Sequence, residues 1–284
     1  MKLPRLASCL SLVLLACYVT SVAAEEREDA RALALGDSVV FGYITQAGHQ
    51  YVNANNFIGS PEYLAGMLDL DVTNAGCPGE ATTSFLSSTG ADNGYGAFRA
   101  AFPLHVAYSS TQLAFATSFL TRHRHVRLVT IGIGANDLFI LQRTCATKPN
   151  PQLCFEADLP TLLATVAANM ATILAELRAT GFGGVIVIVN YYSLDYSDTT
   201  GTGLTEALNE AITAPAKAYG AVVADVFKAF QQVVSNPVVA GKTCKAGLLN
   251  VDPQNQDLCD VHPSQSGQRL IARTITRAYR AATW

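Results

Sequence analysis

A serine near the start of the chain and a histidine near its end are the residues best suited to chemistry. Ser38 closes a Leu-Gly-Asp-Ser sequence directly after a short apolar run, and His262 stands in an Asp-Val-His-Pro sequence before the last helical stretch. A serine at the end of a strand projects its hydroxyl from the sheet edge, and a histidine on a late loop can act there as general base. The pair predicts a serine hydrolase.

Acyl transfer also needs hydrogen-bond donors for the oxyanion of the tetrahedral intermediate. Two more polar sequences follow apolar runs, an Asn-Ala-Gly that ends at Gly76 and a Gly-Ala-Asn-Asp that contains Asn136. The carboxyl ends of parallel strands share one sheet edge, so we expect Ser38, Gly76 and Asn136 to meet there. The predicted donors are the N–H groups of Ser38 and Gly76 and the Asn136 amide. Gly76 has no side chain to obstruct the reacting carbonyl.

Short apolar runs alternate with stretches of helical period, which favours an α/β domain with a mainly parallel sheet. The runs predicted as strands are residues 31–35, 71–75, 126–133, 185–189 and 221–226. Apolar residues spaced by three and four predict helices over 162–177, 204–212 and 270–275. Two stretches, 81–107 and 139–158, are predicted to be long irregular loops, with substrate contact and simple surface cover both open.

The first residues have the composition of a secretory signal peptide. Lys2 and Arg5 precede an apolar stretch, and a Val-Ala-Ala sequence supplies small residues for cleavage before residue 25. We therefore predict a signal peptide over residues 1–24 and a single domain over 25–284, secreted or periplasmic. The alternative is a lipoprotein signal that ends Leu-Leu-Ala-Cys, in which Cys17 carries the lipid anchor.

The composition limits the classes of partner and substrate that the protein is expected to bind. The 284 residues carry a net charge of −3, with 14% charged and 50% apolar residues. These values argue against a disordered chain and against nucleic acid as a partner. The low charge favours a lipid or simple acyl ester as substrate, with contact to a membrane surface as an option, and we expect a monomer.

Five of the seven cysteines follow the predicted signal peptide, and in an oxidising compartment they are expected to pair. Cys145 and Cys154 bracket one polar loop, and Cys244 and Cys259 bracket another, so we predict those two disulfides. Cys77 is left as a free thiol. It has no evident basic neighbour, which favours a buried structural role over that of a nucleophile.

The four sequences around Ser38, Gly76, Asn136 and His262 resemble, in the same order, the four blocks of the SGNH (GDSL-type) hydrolase family. The resemblance spans nearly the whole chain after residue 24. It implies a flavodoxin-like three-layer α/β/α sandwich with a mainly parallel five-stranded sheet, and ester hydrolysis with neither a cofactor nor a metal. It also implies Ser38 as the nucleophile, His262 as the base, and Gly76 and Asn136 as oxyanion-hole donors.

The catalytic acid departs from the family pattern. The family's usual acid stands three residues before the histidine, where this chain has Cys259. Asp260 is our predicted acid, because on an extended segment its carboxylate can reach the imidazole. Asp257 and a backbone carbonyl near Cys259 are alternatives, and the carbonyl would leave a Ser-His dyad. A carboxylate at a strand-to-helix turn usually accepts from the backbone, so we predict structural roles for Asp37 and Asp137.

The sequence also allows other functions. The sequence Gly-Ile-Gly-Ala-Asn-Asp that ends at Asp137 is similar to a dinucleotide-binding turn, but this carboxylate would repel a pyrophosphate. The same site also suits an acyl- or acetyltransferase, a carbohydrate deacetylase, or an inactive binding module. Neither the acyl chain nor the alcohol is specified. The loop that starts with Phe139 could present apolar side chains to a lipid ester.

Overall fold

A five-stranded parallel sheet forms the centre of the chain. The computed structural model describes residues 30–252, 254–255 and 258–283. The strands are β1 (Arg31–Gly36), β2 (Asp71–Asn74), β3 (Val126–Gly132), β4 (Val185–Val189) and β5 (Ala221–Ala224). Their order is β2-β1-β3-β4-β5, with every neighbouring pair parallel. All five predicted strands are confirmed, and the largest difference is at β5, because Val226 already begins a helix.

Helices cover both faces of the sheet. They are α1 (Ser38–Phe41), α2 (Ser60–Leu68), α3 (Thr82–Leu86), α4 (Tyr95–Ala101), α5 (Gln112–Arg122), α6 (Ala135–Ala146), α7 (Pro151–Ala179), α8 (Thr199–Thr213), α9 (Val226–Val234) and α10 (Gln265–Thr283). Short 3₁₀ helices occupy Gly48–Val52, Ala54–Asn56 and Ala216–Tyr219. One apolar core lies between the sheet and α5, α6, α7 and α8, and the other lies between the sheet and α2, α9 and α10. This is the predicted three-layer sandwich.

The prediction of an irregular stretch over 139–158 is wrong. These residues form the end of α6 and the start of α7, joined by a short turn and by the Cys145–Cys154 disulfide. The proline and cysteines suggested a loop, but Pro151 is the first residue of α7, where its missing N–H costs no helical hydrogen bond. The stretch 81–107 is only partly irregular, because it contains α3 and α4.

Helix α7 extends beyond both ends of the predicted helix over 162–177, and Pro160 lies inside it. By length and composition it is apolar enough to cross a membrane. Its buried residues Val166, Met170, Ile173 and Leu174 pack against the sheet, as the core helix of an α/β domain does. The spacing of these residues is the one that predicted the helix.

A small antiparallel hairpin, which the sequence did not predict, stands before α10. It pairs β6 (Leu249–Val251) with β7 (Cys259–Pro263), so His262 lies on a strand and not on a loop. The Cys244–Cys259 disulfide ties the start of β7 to the segment before β6. Both predicted disulfides are confirmed, and Cys77 is free and buried as predicted.

Candidate active site

Ser38 is placed by an abrupt turn from β1 into α1. Gly36 has a φ of 142°, and a Cβ there would stand 2.0 Å from the carbonyl oxygen of Gly132 on β3. Only glycine tolerates so close an approach to the neighbouring strand. The Asp37 side chain then accepts a hydrogen bond from the Val39 N–H at 2.9 Å and caps the helix. The turn puts the nearly buried Ser38 at the carboxyl edge of the sheet.

Gln112 fixes the same turn from α5, and sequence reasoning missed it. Its side-chain oxygen accepts from the Gly36 N–H at 2.5 Å, and its amide donates to the Gly36 carbonyl at 3.0 Å. Gln112 is fully buried. A buried amide of this kind is expected to satisfy its polar atoms with backbone partners, but no spacing rule connects it with a strand end far away in the sequence.

Ser38, His262 and Asp260 form one chain of hydrogen bonds. Ser38 Oγ lies 2.9 Å from His262 Nε2, and His262 Nδ1 lies 2.9 Å from both carboxylate oxygens of Asp260. Alternate residues of a strand share a face, so a position two residues before the histidine in β7 brings the carboxylate beside the ring. This explains how Asp260 reaches the ring from there. Asp257 lies outside the described residues.

The surroundings of Asp260 favour its ionised form. Burial raises its pKa, but the hydrogen bond and charge of His262, with hydrogen bonds from Thr45, more than offset this and bring it to about 2. The Thr45 N–H donates to Asp260 Oδ2 at 3.1 Å, and Thr45 Oγ1 lies 3.3 Å from His262 Nδ1. Tyr192 also binds β7, since its hydroxyl donates to the Val261 carbonyl at 2.6 Å.

Asn136 lies in the first turn of α6, beside the same site. Its amide donates to the Glu80 carbonyl at 2.9 Å, and its side-chain oxygen accepts from the Asn93 amide at 2.8 Å. These two bonds fix the side-chain orientation and use one of the two amide hydrogens. Asn136, Ser38 and His262 all line one cavity.

The Gly76 N–H is not the free donor that we expected. It donates to the Asn74 side-chain oxygen at 3.0 Å, and the residue is buried. Three residues later, Gly79 is partly exposed, and within the described residues its N–H donates to no acceptor. Gly79 has a φ of 82°, and it precedes Glu80, whose carbonyl accepts from Asn136. Gly79 therefore offers a backbone N–H with no acceptor in the described part of the chain, one residue before the carbonyl that Asn136 contacts.

The structural roles predicted for two aspartates agree with their contacts. Asp37 caps α1 and also accepts from the Tyr191 hydroxyl. Burial raises its pKa to about 6, although the hydrogen bonds from Tyr191 and Val39 act in the opposite direction. Asp137 accepts from the Thr82 N–H at 2.9 Å and from the Thr82 hydroxyl at 2.6 Å, which joins α6 to α3. Burial also raises the pKa of the Cys77 thiol, which disfavours a thiolate nucleophile.

The order and placement of these residues agree with one family model. A model described as the GDSL-like Lipase/Acylhydrolase family matches residues 34–270. The chain belongs to this family. The match includes the turn at Ser38, the strand with His262 and the start of α10. No curated protein sequence is similar enough to the chain to count as a match.

Several solved structures share the fold at low sequence identity. Phospholipase A1 from Streptomyces albidoflavus NA297 is 18% identical with a TM-score of 0.57, over 88% of this chain and 99% of that one. An acetylxylan esterase from Geobacillus stearothermophilus is 17% identical with a TM-score of 0.53, over 88% and 94%. LAE5, an α/β hydrolase from the metagenome of Lake Arreo, Spain, is 13% identical with a TM-score of 0.54, over 89% and 96%. These likenesses support the family fold.

Proposed function

We propose that this GDSL-family protein is a serine esterase that hydrolyses carboxylic esters. The observation that carries the proposal is the hydrogen-bonded series Ser38–His262–Asp260, with each contact at 2.9 Å. A nucleophile, a base within reach of it, and a group that orients the base are the components of acyl transfer by serine. The nearby polar residues supply donors for the oxyanion.

In the first step, His262 Nε2 takes the proton from Ser38 Oγ as Oγ forms a bond to the ester carbonyl carbon. The carbon–oxygen bond to the alcohol then breaks, and the alcohol leaves with the proton from His262. In the second step, His262 takes a proton from water as the water oxygen bonds to the acyl carbon. The bond between this carbon and Ser38 Oγ then breaks, the acid leaves, and His262 returns the proton to Oγ. Asp260 accepts a hydrogen bond from the Nδ1–H of His262 and stabilises its imidazolium form.

The oxyanion is stabilised by donors fixed in place before the substrate binds. We assign this role to the Ser38 N–H, which lies in the first turn of α1, and to the second amide hydrogen of Asn136. The Gly79 N–H replaces Gly76 as the third donor in our proposal, because Gly76 is bonded to Asn74. Donors of this kind need no reorganisation as charge develops.

The two disulfides indicate an oxidising compartment outside the cytoplasm. We propose that the protein is secreted or periplasmic, with residues 1–24 as its signal peptide and the rest as one catalytic domain. Those first residues, including Cys17 of the lipoprotein alternative, lie outside the described part of the chain. Mass spectrometry of the exported protein's N-terminus distinguishes cleavage after residue 24 from lipidation.

The test is hydrolysis of p-nitrophenyl acetate and octanoate by the purified protein and by its Ser38→Ala variant. We expect activity in the wild type and loss of nearly all of it in the variant, with circular dichroism unchanged. A fluorophosphonate should label Ser38, and peptide mapping locates the label. Equal turnover in both proteins, or a label on another residue, would refute the serine-esterase proposal.

A further inference from the structure

A mainly apolar cavity of about 270 Å³ opens beside the candidate catalytic residues. Ser38, Asn136 and His262 line it together, so it begins at the position of the reacting carbonyl. Helices α6 and α8 supply apolar side chains to its wall, among them Leu138 and Leu204. Whatever fills this cavity is therefore joined to, or lies against, the group that Ser38 attacks.

The charges in the wall favour a neutral ligand. The ionisable aspartates of the lining are Asp37, Asp195 and Asp198, and no lysine or arginine among residues 30–252, 254–255 and 258–283 lines the cavity. Each carboxylate already has partners: Asp37 accepts from Tyr191, Asp195 pairs with Lys242 at 2.9 Å, and Asp198 caps α8. A phosphate or free carboxylate would find no lysine or arginine in the lining of the described part of the chain, whereas a hydrocarbon chain finds apolar walls.

The volume limits the length of such a chain. Pockets for drug-sized ligands occupy about 300–1,000 Å³, so this cavity of about 270 Å³ suits a smaller group. An acetyl group would leave most of it empty, and a palmitoyl chain would extend beyond it.

The acyl-enzyme and the surroundings of His262 favour the acyl half of the ester as the occupant of the cavity. The acyl group stays bound to Ser38 after the alcohol has left with the proton of His262. His262 also contacts Tyr43, whose ring meets the imidazole edge-on at 5.0 Å, and the next residue, Ile44, is exposed. Neither of these two residues lines the cavity. Tyr43 and Ile44 thus lie on a side of His262 outside the cavity, where the alcohol can be placed while the cavity holds the acyl chain.

We propose that the cavity between α6 and α8 is the acyl-binding site and that the preferred substrates are esters of medium-chain fatty acids, longer than acetyl and shorter than palmitoyl. This inference rests on the esterase function proposed above. Each methylene that enters the apolar cavity is expected to raise kcat/KM by up to about fourfold, until the cavity is full.

Two ester series test the proposal. In the first, p-nitrophenyl esters vary from acetyl to palmitoyl, and in the second, acetate esters vary in the alcohol from ethyl to octyl. For the wild type we expect kcat/KM to be highest between hexanoyl and octanoyl and to change little along the alcohol series. A maximum at acetyl, or a clear preference for long alcohols, would overturn the assignment of the cavity.

Variants at Leu204 test whether the chain-length preference depends on this cavity. Leu204 is partly buried and lines it. Leu204→Trp should lower the ratio of octanoyl to acetyl kcat/KM at least tenfold. Leu204→Ala, which cannot overfill the site, should raise the ratio of dodecanoyl to octanoyl. The control is Leu162→Trp, at a partly buried leucine of α7 outside the cavity lining, which should change neither ratio.

The outcomes separate this inference from the proposed function. If wild type and Ser38→Ala hydrolyse every ester equally, the esterase proposal itself fails. If hydrolysis depends on Ser38 but both Leu204 variants keep the wild-type chain-length profile, only the acyl-site assignment fails. The same holds if Leu162→Trp shifts the profile as much as Leu204→Trp does.

Discussion

Asp260 and His262 lie on one face of β7 and supply two of the three members of the proposed catalytic triad. The carboxylate oxygens lie on the Nδ1 side of the ring, and Ser38 lies on the Nε2 side. The Thr45 N–H gives Asp260 a second partner. Because these bonds hold the pKa of Asp260 near 2, the carboxylate is charged at any pH at which an esterase is normally assayed. Asp260 thus satisfies both requirements for the acid, position and charge.

Replacement of this charge gives the first residue-scale prediction. Asp260→Asn keeps the shape of the side chain, but its amide can turn an N–H towards Nδ1 and favour the wrong tautomer of His262. We expect kcat for the preferred p-nitrophenyl ester to fall by roughly 10³–10⁴-fold, with little change in KM. Asp252→Asn, on the same hairpin and without contact to His262, serves as the control. A loss of less than tenfold would indicate a Ser-His dyad oriented by Thr45 or by a backbone carbonyl.

At the scale of elements, the sheet was more predictable than the parts that position the acid and the oxyanion donors. Short apolar runs rich in β-branched residues, such as 185–189, indicate buried parallel strands, and each ends at a turn or a polar side chain. The hairpin is different, because β6 has only three residues and β7 owes its conformation to a disulfide and to Tyr192. Such long-range contacts leave no local period in the sequence.

The same limit applies to hydrogen bonds of single backbone groups. The sequence placed Gly76 correctly at the end of β2, but it carried no sign that the Asn74 side chain would turn back and occupy the Gly76 N–H. Nor did the sequence indicate that the Gln112 side chain makes two hydrogen bonds to the Gly36 backbone. Element type follows from the pattern of apolar residues, whereas the partner of each donor depends on the assembled fold.

The two disulfides connect different elements, so their removal should affect activity to different extents. Cys145–Cys154 joins α6 to α7, and Cys244–Cys259 holds the residue next to Asp260. We expect removal of either pair, by double Cys→Ser substitution, to lower the free energy of unfolding by roughly 3 kcal/mol. Activity at 25 °C should fall much more for the Cys244/Cys259 variant, because β7 carries Asp260 and His262.

Urea unfolding and p-nitrophenyl ester kinetics on the two double variants measure these effects side by side. The Cys145/Cys154 variant is the matched control, since it loses a closed loop of similar kind away from the triad. Equal activity losses in the two variants, at equal stability, would show that the hairpin keeps its geometry without the covalent tie.

At the scale of the whole molecule, buried carboxyl groups make stability depend on pH. Glu80 is fully buried beneath the candidate site, where it accepts from the Ser84 hydroxyl at 2.7 Å and from the Gln112 amide at 3.2 Å. Burial raises its pKa from 4.5 to about 8, although these hydrogen bonds act in the opposite direction. Asp37 is shifted the same way, to about 6. The folded protein therefore binds protons that the unfolded chain has already released.

Stability should consequently decrease as the pH rises from about 5 to 8. In that range unfolding releases the Glu80 proton, so the free energy of unfolding falls by up to about 1.4 kcal/mol per pH unit. Between pH 6.5 and 8 most of the Asp37 contribution is over, and Glu80→Gln should reduce the remaining slope in urea unfolding. Glu210→Gln, at an exposed glutamate of α8, should leave the slope as it is. A wild type equally stable at pH 6.5 and 8 would show that Glu80 is ionised in the fold, where the positive charge of Arg99 lowers its pKa.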